Sequence, residues 1–529
     1  MVSGQETERL TRRMPMILAL LGMALAGVLM GAAGQALFPT EWVSFIQMLC
    51  LSVAFALLQH HRLQRAWGLA WCFATAWLIS TFWWLFISLN TYGHLPAWLA
   101  ALAVSLLAGA LALYYAFVLV WHRRYTSKTS NAMRVLSFAA CWTLAELARA
   151  EWFTGFPWGA VGYLHVDGLL SYAAPWVGVY GVGALAAAIA SWLALEAMQL
   201  NMNTHPEHEK EKNSSLKQKW VPLFWVLLAT FMACLPSCRN EPSSGESLRV
   251  NLLQANVAQD VKFGRARVES AQWYLDQMRE SKAELTVLPE TAITWVRHDL
   301  PPGLWDALQA PFAEDKKVAI VGMPTWALEK GFANSALGLG FSEPMQYDKH
   351  HLVPFGEFTP PAAKWFTRML NLEYGDFHRG ALDQPAFAWG HHRFGITICY
   401  EDLFGEELAA RFLNPNSKPS VFVNLSNIAW FGNTPVVDQH LAIARMRSLE
   451  FERPTLRATN TGGTAIIDAQ GRITHQLEPF TQGALQGMVK VGDDHVTPYA
   501  QWAGRWGLWP LWLLCLAVCA WVWRTQKSV

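Results

Sequence analysis

Residues 395–407 read GITICYEDLFGEE, and this stretch decides what kind of domain carries it. The apolar run of Ile396 and Ile398 has the character of a buried strand, and it stops at Cys399. Tyr400, Glu401 and Asp402 follow, acidic residues of the kind that begin a helix. A thiol buried only for packing would be followed by more core. A thiol at a strand end that runs straight into polar residues is presented for reaction.

The surroundings support a layered α/β domain with its chemistry at strand ends. Strands are expected over 248–257, in AELTVLPE ending at Glu290, and in VAIVGM (318–323). Others are expected in SALGLGF (335–341), RFGITIC (393–399) and SVFVNLS (420–426). A helix over about 265–281 presents Val268, Trp273, Tyr274, Leu275 and Met278 on one face; a second spans about 436–451, and TAIIDAQGRITHQ reads as a late hairpin.

Outside this domain the composition changes. Of 529 residues, 53% are hydrophobic and only 15% charged, with 28 Trp, a balance that suits a partly membrane-embedded chain. The 41 Lys plus Arg offset 40 Asp plus Glu, so net charge points to no nucleic-acid partner. Eight apolar runs, about 14–34, 42–60, 67–90, 96–121, 133–153, 169–199, 220–237 and 506–523, are of spanning length. The second is the weakest, and the sixth has room for an extra interfacial turn. The first starts like a signal peptide but is too long for a cleaved one, so it is read as a retained span.

Basic residues sort the loops. Arg9, Arg12 and Arg13 precede the first run; Arg62 and Arg65, then Arg123, Arg124, Lys128 and Arg134, then Lys210, Lys212, Lys217 and Lys219 fall in alternate connections; Arg524 and Lys527 follow the last. The connections 35–41, 91–95 and 154–168 hold no Lys or Arg. The positive-inside rule then places both termini in the cytoplasm and the α/β domain outside. The expected organisation is a seven-helix bundle over 1–238, a catalytic domain over 239–505, and a last helix with a short tail over 506–529. Seven of the eight cysteines lie in or beside these runs, which leaves Cys399 alone within its domain. It is therefore either inert or functional.

Three segments converge on the functional reading. LTVLPE ends at Glu290, YDKHHLVPFGEF (347–358) carries Lys349 and Glu357, and GITICYE delivers Cys399. Singly, a strand-end glutamate is more often a solvated charge, and a lone lysine more often a surface one. Together they supply what a cysteine nucleophile needs. A free thiol, with a pKa of about 8.5, is mostly protonated at neutral pH. A carboxylate can take its proton, and a fixed ammonium can stabilise a thiolate or an oxyanion.

In this order and context, Glu290, Lys349 and Cys399 resemble the triad of the carbon–nitrogen hydrolase, or nitrilase, superfamily. With the spans, the whole chain resembles that superfamily's membrane-embedded branch, the apolipoprotein N-acyltransferases. The motifs are TGFPWGAVGY (154–163), LPETAI (288–293), YDKHHLVPFGEF, ICYE (398–401), SNIAWFG (426–432), ARMRSLEFERPTLRATNTG (444–462) and TPYAQWAGRWGLWPLW (497–512). The resemblance implies an αββα sandwich outside a bundle of about eight transmembrane helices. It implies Glu290 as base, Lys349 as oxyanion-stabilising cation and Cys399 as nucleophile. Glu357 would be a supporting carboxylate, Tyr400 and Glu401 would flank the nucleophile, and Asn334 and Trp430 would stand near the pocket. The chain departs from the family pattern at Phe263, where Trp is usual, and at Ile428, where Asp is usual.

The implied reaction takes an acyl chain from a phospholipid, forms a thioester on Cys399, and passes the chain to the α-amino group of a diacylglyceryl-modified apolipoprotein. The implied place is the bacterial inner membrane with the catalytic domain on the periplasmic side, and no cofactor or metal is implied. A membrane-anchored amidase that gives the acyl group to water is the alternative. PPAAKWFTRMLNLEY (360–374) reads equally as a core helix or as an amphipathic lid touching lipid. Glu146 and Arg149 are expected to pair on one helix face, and His350–His351 and His391–His392 lack metal-ligand spacing.

Overall fold

The computed structural model describes residues 15–203, 246–314, 316–360, 364, 376–492 and 494–527. The chain divides into two compact units, one of Met1–Ala173, Val179–Leu235 and Leu508–Val529, the other of Ala174–Gly178 and Pro236–Gly507.

The first unit is helical. Met16–Ala32, Thr40–His60, Leu63–Phe82, Ala97–Tyr125, Asn131–Glu151 and Trp509–Lys527 are helices, as is Ala174–Asn203, whose larger part belongs here. Pro15, Pro39 and Pro96 stand immediately before three of them. Proline suits that place, because the first amides of a helix have no intrahelical acceptor. Arg123 and Arg124 sit in the last turn of Ala97–Tyr125, where cations meet the negative end of the helix dipole.

Among the described residues three helices are long and apolar enough to cross a membrane, or five if two bent pairs each count as one span. Thr40–His60, which the sequence made the weakest, is among the three, and Leu169–Leu200 is another. The latter contains a 3-10 turn, Leu169–Ala173, and a break at Gly178. Met16–Ala32, at 17 residues, is shorter. The seventh expected run, 220–237, lies outside the described residues, as do residues 361–363 and 365–374 of the lid candidate and the basic residues at 9–13 and 210–219.

Leu18, Leu21, Leu25, Leu102, Leu106, Phe117, Leu513 and Leu514 all point outward on these helices. An outer surface of this kind is built for hydrocarbon rather than water. Inside, small residues set the packing. Gly27 and Gly31, a G-x-x-x-G pair, press against Leu63–Phe82, and a Cβ on Gly27 would stand 2.4 Å from the Phe73 carbonyl oxygen. Such close backbone approach is how apolar helices associate without a hydrophobic driving force between them.

Glu146 and Arg149, both buried, attract each other as expected, and each also hydrogen-bonds to backbone elsewhere. Glu146 Oε1 accepts from the amide of Val161 at 2.8 Å. Arg149 Nη1 donates to the carbonyls of Phe156 at 2.8 Å and Trp158 at 2.6 Å. Each charge grips the backbone of loop 154–168, whose polar groups would otherwise be stranded in an apolar setting.

The second unit holds two six-stranded sheets. The strands are β1 (Ser247–Gln254), β2 (Leu285–Val287), β3 (Val318–Ala327), β4 (Gly331–Leu339), β5 (Met345–Asp348), β6 (Phe387–Trp389), β7 (His392–Ile398), β8 (Val421–Ser426), β9 (Thr455–Thr459), β10 (Ala465–Ile467), β11 (Ile473–Gln476) and β12 (Gly483–Lys490). One sheet has the order β12-β1-β2-β3-β4-β5, the other β11-β10-β9-β8-β7-β6. In each, three neighbouring strands run parallel: β1, β2 and β3 in the first, β7, β8 and β9 in the second.

One apolar core joins the facing sheets, with Val250, Leu285 and Ile320 from the first against Phe394, Ile396, Val423 and Leu456 from the second. On the outer face of the first, Tyr274, Leu275 and Met278 of helix Ala266–Glu280 cover Leu253, Ala319 and Val321. On the second, Leu441 and Ala444 of helix Val436–Phe451 cover Ala465 and Ile467. The result is an αββα sandwich. Strands β2 and β7, one in each sheet, lead into Glu290 and Cys399, which act on each other electrostatically.

Candidate active site

Cys399 follows the last residue of β7 with φ of 52°, a left-handed conformation rare outside glycine. Holding it costs about 1–3 kcal/mol, and such strain persists only where the surroundings impose it. The surroundings here are polar and buried. The Cys399 carbonyl accepts from Asn424 Nδ2 at 3.4 Å, and His440 Nε2 stands 3.3 Å from it. The same nitrogen lies 2.9 Å from Asp402 Oδ1, so with an acceptor on each side Nε2 carries the proton. Burial, then the neighbouring Arg457 guanidinium, pushes the His440 pKa down, which keeps the ring neutral. Arg457 Nη1 completes the frame, donating to Asp402 Oδ2 at 3.2 Å and Asn424 Oδ1 at 2.9 Å.

Glu290 lies just past β2. Its backbone can reach this position because β3 offers Gly322, where a Cβ would stand 2.2 Å from the Pro289 carbonyl oxygen. Its Oε1 accepts from Asn334 Nδ2 at 2.7 Å and from Lys349 Nζ at 3.4 Å, and its Oε2 from the amide of Asn427 at 2.8 Å. Glu357 Oε1 accepts from the same two donors, Asn334 Nδ2 at 2.8 Å and Lys349 Nζ at 3.0 Å. Its Oε2 accepts from the Val353 amide at 2.8 Å.

Lys349, 1% exposed, thus bridges two carboxylates. Burial alone would strip its proton, but Glu357 first and then Glu290 outweigh that, and its pKa rises above the ordinary lysine value. The ammonium is permanent. At Cys399 the balance goes the other way: burial and then Glu290 push the thiol pKa up, with Lys349 opposing. The resting thiol therefore holds its proton more tightly than a free cysteine.

Glu401 fastens the two halves of the site together. Its Oε2 accepts from the Ile398 amide at 2.6 Å, while Oε1 accepts from Tyr347 Oη at 2.8 Å and from the amides of His350 at 2.6 Å and His351 at 3.2 Å. The cysteine turn and the lysine loop are tied through one carboxylate. Tyr400 is buried against the rings of His351 and Phe404. The histidine pair has structural work too, His350 Nδ1 on the Gly380 carbonyl at 2.8 Å and His351 Nδ1 on Glu407 at 2.9 Å.

Of the residues expected from sequence, Glu290, Lys349, Glu357 and Asn334 form one hydrogen-bonded cluster facing Cys399, and Tyr400 and Glu401 flank it. Trp430 lies on the turn Ala429–Phe431, 40% exposed, three residues beyond the Asn427 whose amide bonds Glu290. Phe263 is exposed, and Ile428 is buried as an apolar residue where the resemblance led one to expect a carboxylate. Sequence reasoning missed Asp402, Asn424, Asn427, His440 and Arg457. It also missed Lys262, whose ammonium donates to the Glu290 carbonyl oxygen at 3.1 Å. Lys262 adjoins the Phe263 that drew notice, but a lysine at the end of a short helix reads as a surface charge.

Two family models match the chain: apolipoprotein N-acyltransferase N-terminal domain over residues 26–192, and carbon-nitrogen hydrolase over residues 250–495. A protein of Verminephrobacter eiseniae named apolipoprotein N-acyltransferase is 46% identical over 86% of this chain and 86% of its own length. One of the same name from Ralstonia nicotianae is 38% identical over 88% and 86%. Another, from Bordetella bronchiseptica, is 35% identical over 96% and 97%. Among solved structures, a carbon-nitrogen hydrolase from Helicobacter pylori aligns at a TM-score of 0.33 and 13% identity, covering 50% of this chain and 94% of that one.

Proposed function

This chain belongs to the apolipoprotein N-acyltransferase family, and from that premise we propose that it acylates lipoproteins through a thioester on Cys399. The acyl donor is a phospholipid, and the acceptor is the α-amino group of an N-terminal diacylglyceryl-cysteine. In the first step Glu290 takes the Sγ proton, Sγ attacks the ester carbonyl, and the carbon–oxygen bond breaks. The lysophospholipid leaves with the proton returned from Glu290. In the second step the free amine attacks the thioester, its proton passes to Glu290, and the sulfur leaves to be reprotonated. Lys349 stabilises the negative charge that Sγ or the carbonyl oxygen carries in both steps, and Glu357 and Asn334 hold Lys349 and Glu290 in place.

The observation that carries this reading is the buried bridge of Lys349 between Glu290 at 3.4 Å and Glu357 at 3.0 Å, beside a protonated thiol on a left-handed turn. A base, a permanent cation and a presented nucleophile are the minimum for covalent acyl transfer. The membrane setting supports the donor: a reactant that cannot leave the bilayer suits an enzyme with apolar helices on both sides of its catalytic sequence. The distribution of Lys and Arg supports an eight-span topology with residues 239–505 on the periplasmic face of the inner membrane.

Mass spectrometry of the Cys399 peptide, after incubation with phospholipid alone, tests the proposal. An acyl adduct is expected, discharged to an amide when a diacylated lipopeptide is added. Adduct that yields only free fatty acid would instead make the protein a hydrolase, and no adduct at all would remove the thioester.

A further inference from the structure

The charges around Cys399 leave a gap that one unassigned residue fills. Glu290, Lys349, Asp402 and Glu357 all act electrostatically on the thiol. Asp402 is matched by Arg457, which leaves two carboxylates against the single ammonium of Lys349. A buried site with that surplus resists further negative charge. Lys262 supplies the missing cation. It ends helix Gln259–Lys262, is 3% exposed, and hydrogen-bonds to the carbonyl oxygen of Glu290 at 3.1 Å. Among the described residues no carboxylate lies within ion-pair distance of its ammonium, and the charges it faces are Glu290 and Cys399.

A lysine usually carries its ammonium to water along a flexible stem, and burying one without an ion pair is costly. Here the main chain of the base holds it beside the nucleophile. We propose that Lys262 is a second cation of the reaction site, a positioning residue that helps Lys349 hold negative charge on Cys399 Sγ. With both lysines charged, Glu290 and Glu357 are balanced. Passing the Sγ proton to Glu290 then moves a charge within a neutral set instead of adding to a surplus. Burial lowers the Lys262 pKa to about 8, against the pull of Glu290 and Cys399, so this cation disappears at mildly alkaline pH while Lys349 stays charged.

The inference rests on the reading of Cys399 as nucleophile, yet it is tested without lipid. Iodoacetamide alkylation of the full-length protein in detergent micelles, read by mass spectrometry on the Cys399 peptide between pH 6 and 10, follows the thiolate alone. In the wild type the log rate should climb with pH, flatten near pH 8 as Lys262 loses its proton, and climb again. Lys262→Gln keeps an N–H donor but no charge. It should react about tenfold more slowly at pH 7, show no flattening, and meet the wild-type line above about pH 9. Lys262→Arg, charged throughout, should keep the neutral-pH rate and carry it past pH 8 without the shoulder.

A Lys262→Gln line that coincides with the wild type, or runs parallel below it at every pH, would overturn the proposal, the second result marking a packing role only. If Lys262→Gln does not keep the wild-type melting temperature, the shoulder in the wild type and its absence in Lys262→Arg decide the matter. Failure here leaves the acyl-adduct experiment untouched, so the two readings fall separately.

Discussion

The proposed mechanism asks two things of Cys399 that pull against each other: burial, which would keep water from a thioester, and ionisation, which burial opposes. The site resolves this with a protonated resting thiol and a base held in hydrogen-bonded place. Burial and Glu290 push the thiol pKa up, so the thiolate fraction stays small through neutral pH and grows as pH rises. The Cys399 alkylation rate should therefore still be climbing at pH 9.5, beyond the point where a free thiol of pKa about 8.5 levels off. A rate that levels off by pH 8 and does not climb again up to pH 9.5 would mean that a thiolate is preformed and no base is needed. The roles are separable too. Cys399→Ala should give no adduct, whereas Lys349→Ala and Glu290→Gln should fold yet form adduct at least about 100-fold more slowly. Near-normal adduct formation in either would exclude that residue from the mechanism. The cluster of Glu290, Lys349 and Cys399 was legible because each member sits in a distinctive segment; Lys262 and Arg457 were not, because a charge whose partners are distant in sequence looks like any surface charge.

At the scale of elements, the candidate site is supplied by the segments that follow two strands, β2 in one sheet and β7 in the other. Strand β2 is only three residues long, and Gly322 on β3 fixes where the chain goes next. Gly322→Ala would put a methyl group 2.8 Å from Glu290 Cα and closer still to the Pro289 carbonyl. The glutamate must then shift, and a displacement near 1 Å can cost about 100-fold in rate. The expected outcome is a loss of that order in adduct formation with the αββα circular-dichroism signature retained; unaltered rates would show that the glutamate segment tolerates movement. The same scale explains which strands were readable. Strands β1, β3, β7 and β8 have apolar runs, and helix Val436–Phe451 starts directly after Pro435 and has the limits expected of it. Strand β9 reads Thr-Leu-Arg-Ala-Thr and was missed, since every residue in it is buried and one is Arg457. A guanidinium in a central strand contradicts the buried-strand pattern. Its place is explained only by Asp402 and Asn424, brought in from other segments.

For the whole molecule, the testable claim is sidedness. Reporter fusions at residues 210 and 330 should respond as cytoplasmic and periplasmic, because the basic residues gather on one set of connections. The same response from both would sink the proposed topology. Helix packing is a separate matter from sidedness: the Gly27–Gly31 pair shows that the first helix is shaped for a neighbour's backbone, which a count of apolar residues could not reveal.

The sequence by itself determined the division into apolar helices and an α/β domain, and it singled out the segments that carry Glu290, Lys349 and Cys399, the residues of the proposed mechanism. Hydropathy and strand-end chemistry are local properties, readable over a few residues. Only the tertiary structure decided what those residues experience. Glu146 and Arg149 hold a loop as well as attracting each other, Glu401 ties the cysteine turn to the lysine loop, and burial pushes the Cys399 thiol pKa up. Lys262 acts electrostatically on Cys399 from a segment 137 residues away in the chain. Desolvation and Coulomb interaction depend on distance in space and on exclusion of water, and neither is written in the order of the residues.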